Sequence, residues 1–311
     1  MRISGLSAVI PSPSFNVLHL GPFEIRLYGV MIALGVMAAV TVAGRRWERR
    51  GGNRSDISAL AAWAVPAGLV GARAYHVITD PELFRGRWLH VFAIWEGGLG
   101  IPGGLLAGVL VGVVVARRRG LAIGALLDAV APALPLAQAI GRLGNWFNQE
   151  LFGRPTGLPW GLHIDPAHRP AGFEHVATYH PTFLYESLWN LLLMGLLVWI
   201  DQRRRLRPGR LFALYVGGYA VGRLWVESLR IDHANTILGL RLNIWVSLVT
   251  IAVVAAFFAW DRRRVGVTES AVPPSEDDGG SGDGPEGTTT GGRRRGQNDD
   301  VVDRGPSSKA G

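Results

Sequence analysis

Apolar runs recur along most of this chain, each about 17 to 20 residues long, close to what a helix needs to cross ~30 Å of hydrocarbon. They predict seven spans, at about Leu27–Gly44, Ile57–Ile78, Leu99–Ala116, Leu121–Ile140, Pro181–Ile200, Leu211–Leu229 and Ile244–Trp260. Pro132 and Pro135 remove backbone donors within the fourth, so that span is expected to be broken. A long polar stretch from Arg142 to Tyr179 separates the fourth span from the fifth. Residues 1–26 mix Pro11, Pro13 and Pro22 with apolar residues, which predicts an irregular or interfacial lead-in, retained rather than cleaved as a signal peptide. From Val265 the composition turns to Gly, Ser, Thr, Pro, Asp and Glu, too poor in apolar residues to offset ordering entropy. The expected organisation is a membrane unit over 1–264 and a disordered cytoplasmic tail over 265–311.

Arginine blocks give the runs a direction. Those at 45–54, 117–119, 203–210 and 262–264 all fall on one side of a seven-span arrangement, and cytoplasmic loops are the ones that collect Lys and Arg. The expected fold is therefore an all-α polytopic bundle of seven transmembrane helices with an external polar region, the N-terminus outside and the C-terminus in the cytoplasm. Several tryptophans near span ends, Trp47, Trp63, Trp95, Trp146, Trp245 and Trp260, suit interfacial belts.

Composition changes this picture in two places. A net charge of +8 on 311 residues would ordinarily suggest nucleic acid, but the topology accounts for the arginine blocks and leaves nucleic acid without a role. With no cysteine, the chain has no disulfide, thiolate metal site or cysteine nucleophile of its own, so any thiol chemistry must use a substrate's sulfur.

Candidate chemistry gathers on the other side. GRLGNWFNQELFG at 141–153 delivers Arg142, Asn145, Asn148 and Glu150 at the end of an apolar run, with Gly153 permitting close approach. Arg73, Arg142, Arg223 and Arg230 lie in or beside the outer halves of their spans, together with Glu150, Glu186 and Glu227. An isolated ion at the bilayer centre costs at least ~2.5 kcal/mol, so these groups are expected to share an interior cavity and to pair with one another or with an anion. Tyr219, Arg223, Glu227 and Arg230 follow at helical steps on one face of the sixth span. An ion ladder there is one reading; the cations of Arg142 and Arg223 are expected to exceed it and to chelate a phosphate through bidentate bonds. Asp128, one turn before Pro132, reads either as a site residue or as a buried acid bonded to backbone or arginine. Gly103 and Gly104, in GGLGIPGG at 97–104, either let a ligand pass near backbone or allow tight helix packing. His180 opens the fifth span beside Pro181, and His163, His168 and His175 lack metal-like spacing, so neither metal nor other cofactor is expected.

These stretches together resemble the prolipoprotein diacylglyceryl transferase family over most of residues 15–260. GRLGNWFNQELFG is similar to its signature G-R-x-G-N-F-x-N-x-E-x-x-G, with Trp146 in place of phenylalanine. LYGVMIALG after Arg26, GARAYHVI, the 97–104 run, HPTFLYE, and GYAVGRLWVESLR with Asp232 follow in order. The resemblance implies a seven-span enzyme of the bacterial inner (plasma) membrane, working at the extracytoplasmic face among membrane lipids. It implies transfer of the sn-1,2-diacylglyceryl group from phosphatidylglycerol to the lipobox cysteine in the signal peptide of a preprolipoprotein, releasing glycerol 1-phosphate. It further implies that Arg142 and Arg223 bind the donor phosphate, that Asn145, Glu150 and Gly153 shape the pocket, that Tyr28 and Tyr219 position lipid or peptide, and that Glu227 and Arg230 hold the rim. Two positions depart from the family: Pro102 stands where many members carry a histidine regarded as a base, and Arg26 stands where a histidine precedes W-Y-G. The favoured replacement is a substrate thiolate stabilised by guanidinium, with Glu150 and His180 as alternative bases. An anion or lipid transporter would show inverted repeats, and an intramembrane protease a Ser/His pair or facing aspartates; the sequence displays neither.

Overall fold

The computed structural model describes residues 9–21, 23–94, 97–232 and 236–270. The first eight residues, Trp95 and the expected tail beyond Ser270 lie outside the described residues. Among the described residues the helices are α1 (Leu27–Glu48), α2 (Arg54–Thr79), α3 (Ile101–Arg118), α4 (Ile123–Val130), α5 (Ala133–Asn148), α6 (Thr182–Arg203), α7 (Arg210–Leu229) and α8 (Leu242–Ser270). The bundle and its loops belong to one compact unit, Met1–Arg264. Six segments are long and apolar enough to cross a membrane: α1, α2, α3, Ile123–Asn148, α6 and Leu242–Arg263. The chain is an all-α polytopic membrane protein. The twenty residues of α7, which carry Arg223 and Glu227, do not join that set of six. α8 continues to Ser270, past the start predicted for the tail.

Three two-stranded antiparallel hairpins decorate the helices: β1 (Val17–Leu20) with β2 (Phe23–Arg26), β3 (Leu162–His163) with β4 (Thr178–Tyr179), and β5 (Thr236–Ile237) with β6 (Leu240–Arg241). The predicted polar stretch has a core of its own. Phe152, Leu162, Ile164, Tyr179 and Phe183 are buried together, with Trp146 stacked on Phe183 at 6.0 Å.

Lipid tails are as apolar as leucine, so helices in a bilayer associate through close packing of small residues more than through burial from water. α2 and α3 follow that rule: a Cβ on Gly71 would come within 2.5 Å of Gly103 O, and one on Gly104 within 3.1 Å of both Gly68 O and Ala72 Cβ. Gly103 and Gly104 thus make the close helix packing that was one of their two expected uses. Leu105, Leu106, Val109 and Leu110 leave the outer face of α3 apolar and exposed.

The predicted break lies between α4 and α5. Proline at 132 cannot donate to the carbonyl of Asp128 four residues back. Arg46 supplies the missing donor, from Nη2 to Asp128 O at 3.3 Å and from Nε to Ala129 O at 3.1 Å, and it also bonds Asp201 at 2.9 Å. Arg50 holds the other oxygen of Asp201 at 2.6 Å, and Arg210 pairs with Asp261. Arg119 reaches Asp56 at 3.4 Å. Residues from the arginine blocks thus interlock at one end of the bundle, with acids from α2, α4, α6 and α8. Asp128 belongs to this end: its carboxylate accepts from Gly209 N at 2.8 Å and Phe212 N at 3.0 Å, satisfying donors at the start of α7. These bonds match the buried-acid reading of Asp128.

Candidate active site

At the opposite ends of α5 and α7, three helices bring charged side chains onto shared partners. α5 supplies Arg142, α6 supplies Glu186 near its first turn, and α7 supplies Arg223 and Glu227 one turn apart. Glu186 Oε2 lies 2.7 Å from Arg142 Nε and its Oε1 3.5 Å from Arg223 Nη1, so one carboxylate spans two guanidiniums. Arg223 Nη2 is 2.7 Å from Glu227 Oε2. The fully buried Glu227 also takes Arg241 Nε at 2.7 Å and Asn243 Nδ2 at 3.2 Å on Oε1, with Arg230 Nη1 at 4.0 Å.

The predicted ladder of Arg223, Glu227 and Arg230 is present. The expectation that Arg142 and Arg223 stand unneutralised is corrected: Glu186 pairs with both. An ion held inside a membrane protein needs such partners, and α6 is the nearest element able to provide one. Among the ion-paired groups, Arg142, Arg223, Arg230 and Arg241 face Glu186, Glu227 and Asp232, leaving one cation in excess.

Glu150 supplies the balancing charge through amides. Arg142 Nη1 donates to Asn145 Oδ1 at 3.2 Å, Asn145 Nδ2 donates to Glu150 Oε1 at 2.8 Å, and Asn148 Nδ2 donates to the same oxygen at 3.2 Å. The sharp exit from α5 aims Glu150 this way. Gln149 and Leu151 adopt left-handed φ values of 51° and 58°, unusual for residues with a Cβ. Reciprocal bonds between Gln149 and Asp165, at 2.6 and 2.8 Å, hold the turn. Glu150 opens on a cleft of about 390 Å³ lined by Asn16, Val17, Glu24, Arg26 and Asn148. Arg26, one of the positions that departs from the family, therefore puts a cation on the wall of that cleft.

Gly153 seats the polar loop on the end of α7. Its N donates to His180 O at 2.9 Å, it bridges to Arg230, and a Cβ would come within 2.8 Å of His180 Cβ. His180 Nδ1 contacts Tyr185 Oη at 3.1 Å, which in turn accepts from Trp160 Nε1 at 3.1 Å. Tyr28 packs its ring where Gly144 leaves room on α5, and Tyr219 lies tilted by 32° against Tyr215 at 6.2 Å, beside Arg223. Arg230 clamps Asp232 through Nε at 2.7 Å and Nη2 at 2.9 Å, and Arg241 reaches Asp232 at 3.1 Å. Burial alone raises the Asp232 carboxyl, but hydrogen bonds from Arg230 and the charges of Arg230 and Arg241 prevail and hold it below the usual range.

Arg73 lies apart from these partners. Its guanidinium donates to the carbonyls of Val91 at 2.9 Å, Gly97 at 2.6 Å, Gly98 at 3.2 Å and His90, and stacks over Phe84 at 5.1 Å. It staples the loop between α2 and α3. Sequence reasoning missed Arg241, an arginine outside the four blocks, and Asn190, a polar residue one turn beyond Glu186 in an apolar run.

Along most of its length the chain is similar to known proteins. Residues 16–260 match the family model described as prolipoprotein diacylglyceryl transferase. The chain is 53% identical over 268 residues to phosphatidylglycerol–prolipoprotein diacylglyceryl transferase 2 of Streptomyces coelicolor, covering 85% of this chain and 84% of that one. It is 54% identical over 245 residues to the transferase of Frankia alni, covering 78% and 64% respectively. With the transferase of Cutibacterium acnes it shares 50% identity over 260 residues, covering 83% of this chain and 88% of the relative. The chain belongs to the prolipoprotein diacylglyceryl transferase family.

Proposed function

We propose that this protein transfers the sn-1,2-diacylglyceryl group of phosphatidylglycerol to the cysteine thiol of a preprolipoprotein lipobox, the first step of lipoprotein maturation. Beyond the family match, one observation carries this reading: Arg142 and Arg223, from different helices, converge on the single carboxylate of Glu186. Guanidiniums held at that spacing are preorganised for a phosphate diester, whose charge develops further as its C–O bond breaks.

The bundle crosses a bacterial plasma membrane seven times, with α7 as the crossing whose polar face is sheltered by α6 and α8. The N-terminus is outside, the C-terminus cytoplasmic and the site towards the extracytoplasmic face. Support comes from the arginine blocks interlocking at the end remote from Arg142. Residues 1–264 hold the groups proposed for catalysis.

In the reaction the peptide sulfur attacks the sn-3 carbon of the diacylglyceryl group. The C–S bond forms, the C–O bond to phosphate breaks, and glycerol 1-phosphate leaves with the bonding pair. The thiol proton goes to Glu150, which lines a cleft of about 390 Å³, within the range of ligand pockets. Protonating Glu150 leaves the network one positive charge in excess just as the phosphate gains negative charge. Arg26 on the cleft wall offsets part of the negative charge of Glu24 and Glu150 that a thiolate there would meet. Asn145 couples the two events, because it touches Arg142 and Glu150 together. Tyr28 and Tyr219 border the lipid side, while Gly153, Glu227 and Arg230 fix the rim.

Purified protein incubated with phosphatidylglycerol and a lipobox peptide should yield thioether-linked diacylglycerol and free glycerol 1-phosphate in equal amounts. Lipid movement across a bilayer with neither product would favour transport instead.

A further inference from the structure

Between α6 and α7 lies a void of about 10 Å³, walled by Glu186, Trp189, Asn190, Tyr219, Arg223 and Val226. Steps of three and four residues put Glu186, Trp189 and Asn190 on one face of α6, and Tyr219, Arg223 and Val226 on the facing side of α7. Gly222 keeps the wall in place, because a Cβ there would strike the Trp189 indole, whose Nε1 donates to Gly218 O at 3.0 Å.

Asn190 Oδ1, an acceptor, has no hydrogen-bond partner, and Arg223 Nη1 makes no hydrogen bond either, its contact with Glu186 Oε1 being a 3.5 Å ion pair. Asn190 is only 2% exposed, so no bulk water satisfies it. Buried polar atoms are ordinarily hydrogen-bonded, and here an orphan acceptor and an ion-paired donor with hydrogen-bonding capacity left line one void. A volume of about 10 to 15 Å³ admits a single water-sized group. A phosphate oxygen would satisfy Arg223 but offer Asn190 nothing. An ammonium would satisfy Asn190 but meet the guanidinium charge. Only an O–H group accepts from the one and donates to the other.

The geometry points to a hydroxyl-binding site formed by Asn190 and Arg223, taking either the headgroup glycerol hydroxyl of the lipid donor or a bound water. The inference rests on the proposed transfer reaction and adds to it a residue that reads headgroup chemistry beyond the phosphate. Arg223 has separate N–H groups for the phosphate and for this hydroxyl.

The test uses the full-length protein, its Asn190→Leu variant, which keeps the branched shape and removes the acceptor, and its Asn190→Asp variant, which keeps an acceptor. Each is assayed with phosphatidylglycerol and with phosphatidylpropanol, a phosphate diester without a headgroup hydroxyl. If the lipid supplies the hydroxyl, the unsubstituted protein prefers phosphatidylglycerol by about tenfold in kcat/KM, the worth of one hydrogen bond. Asn190→Leu then erases the preference by losing activity on phosphatidylglycerol alone, and Asn190→Asp retains it. If water fills the site, Asn190→Leu loses a similar factor on both donors and Asn190→Asp restores both. Unchanged kinetics of Asn190→Leu on both donors, or a loss that Asn190→Asp does not restore, overturns the site. No transfer from either donor by the unsubstituted protein would remove the underlying reaction, a result distinct from normal transfer that ignores Asn190.

Discussion

Glu186 sets the spacing of two guanidiniums from other helices, so its charge matters more than its size. Replacing it by glutamine leaves Arg142 and Arg223 facing each other without a shared anion. Removing one partner of a buried pair typically costs about 3 to 5 kcal/mol, so Glu186→Gln is expected to lower the thermal midpoint in detergent markedly, as well as turnover. Asp232 gives a pH-dependent counterpart. Because its folded carboxyl titrates below the unfolded value of about 3.9, its contribution is present above that pH and disappears as pH falls through the folded value. Thermal midpoints measured between about pH 5 and pH 2 should show this acid-labile component, and Asp232→Asn should lack it. The polar inventory of the site was legible in the sequence, since Arg142, Asn145, Glu150, Arg223 and Glu227 stand out against apolar surroundings. Which acid serves which arginine was not. Glu186 becomes the bridge only because α6 packs between α5 and α7, a relation that no spacing within one helix encodes.

At the scale of elements, the length of the apolar runs located six helices able to cross a membrane, and Pro132 located the break in the fourth. What it missed is the use made of the break. Arg46, in an arginine block that reads as a topology signal, also satisfies the carbonyls of Asp128 and Ala129. Asp128 read equally well as a ligand or a structural acid, and its contact with the first turn of α7 depends on a chain reversal some eighty residues later. The glycines of α2 and α3 carry the same ambiguity, resolved by their mutual contact. Gly71→Leu should force these helices apart, since even a Cβ meets Gly103 O at 2.5 Å. Overpacking of this kind costs about 1 to 3 kcal/mol, and a lowered melting midpoint in detergent would register it. An unchanged midpoint would show that the two helices do not pack through these glycines.

For the whole molecule, the separation of arginine blocks from site arginines organises the account. Charge alone distinguished the two sets: blocks at span ends follow the positive-inside bias, whereas Arg142, Arg223 and Arg230 need partners to lie where they do. The polar stretch between α5 and α6 was less legible, because its core of Phe152, Leu162, Ile164, Tyr179 and Phe183 is scattered through a sequence without period. A chain ending at Ser270 is expected to keep wild-type transfer rates when assayed at equal membrane abundance, because the composition beyond it is too poor in apolar residues to build a site. The most direct test is the turnover of Arg142→Ala and Arg223→Ala, measured as glycerol 1-phosphate released per inserted enzyme. The account requires each to fall at least about a hundredfold, as expected for loss of a donor that stabilises developing charge. Turnover within a few-fold of wild type in both variants would contradict it.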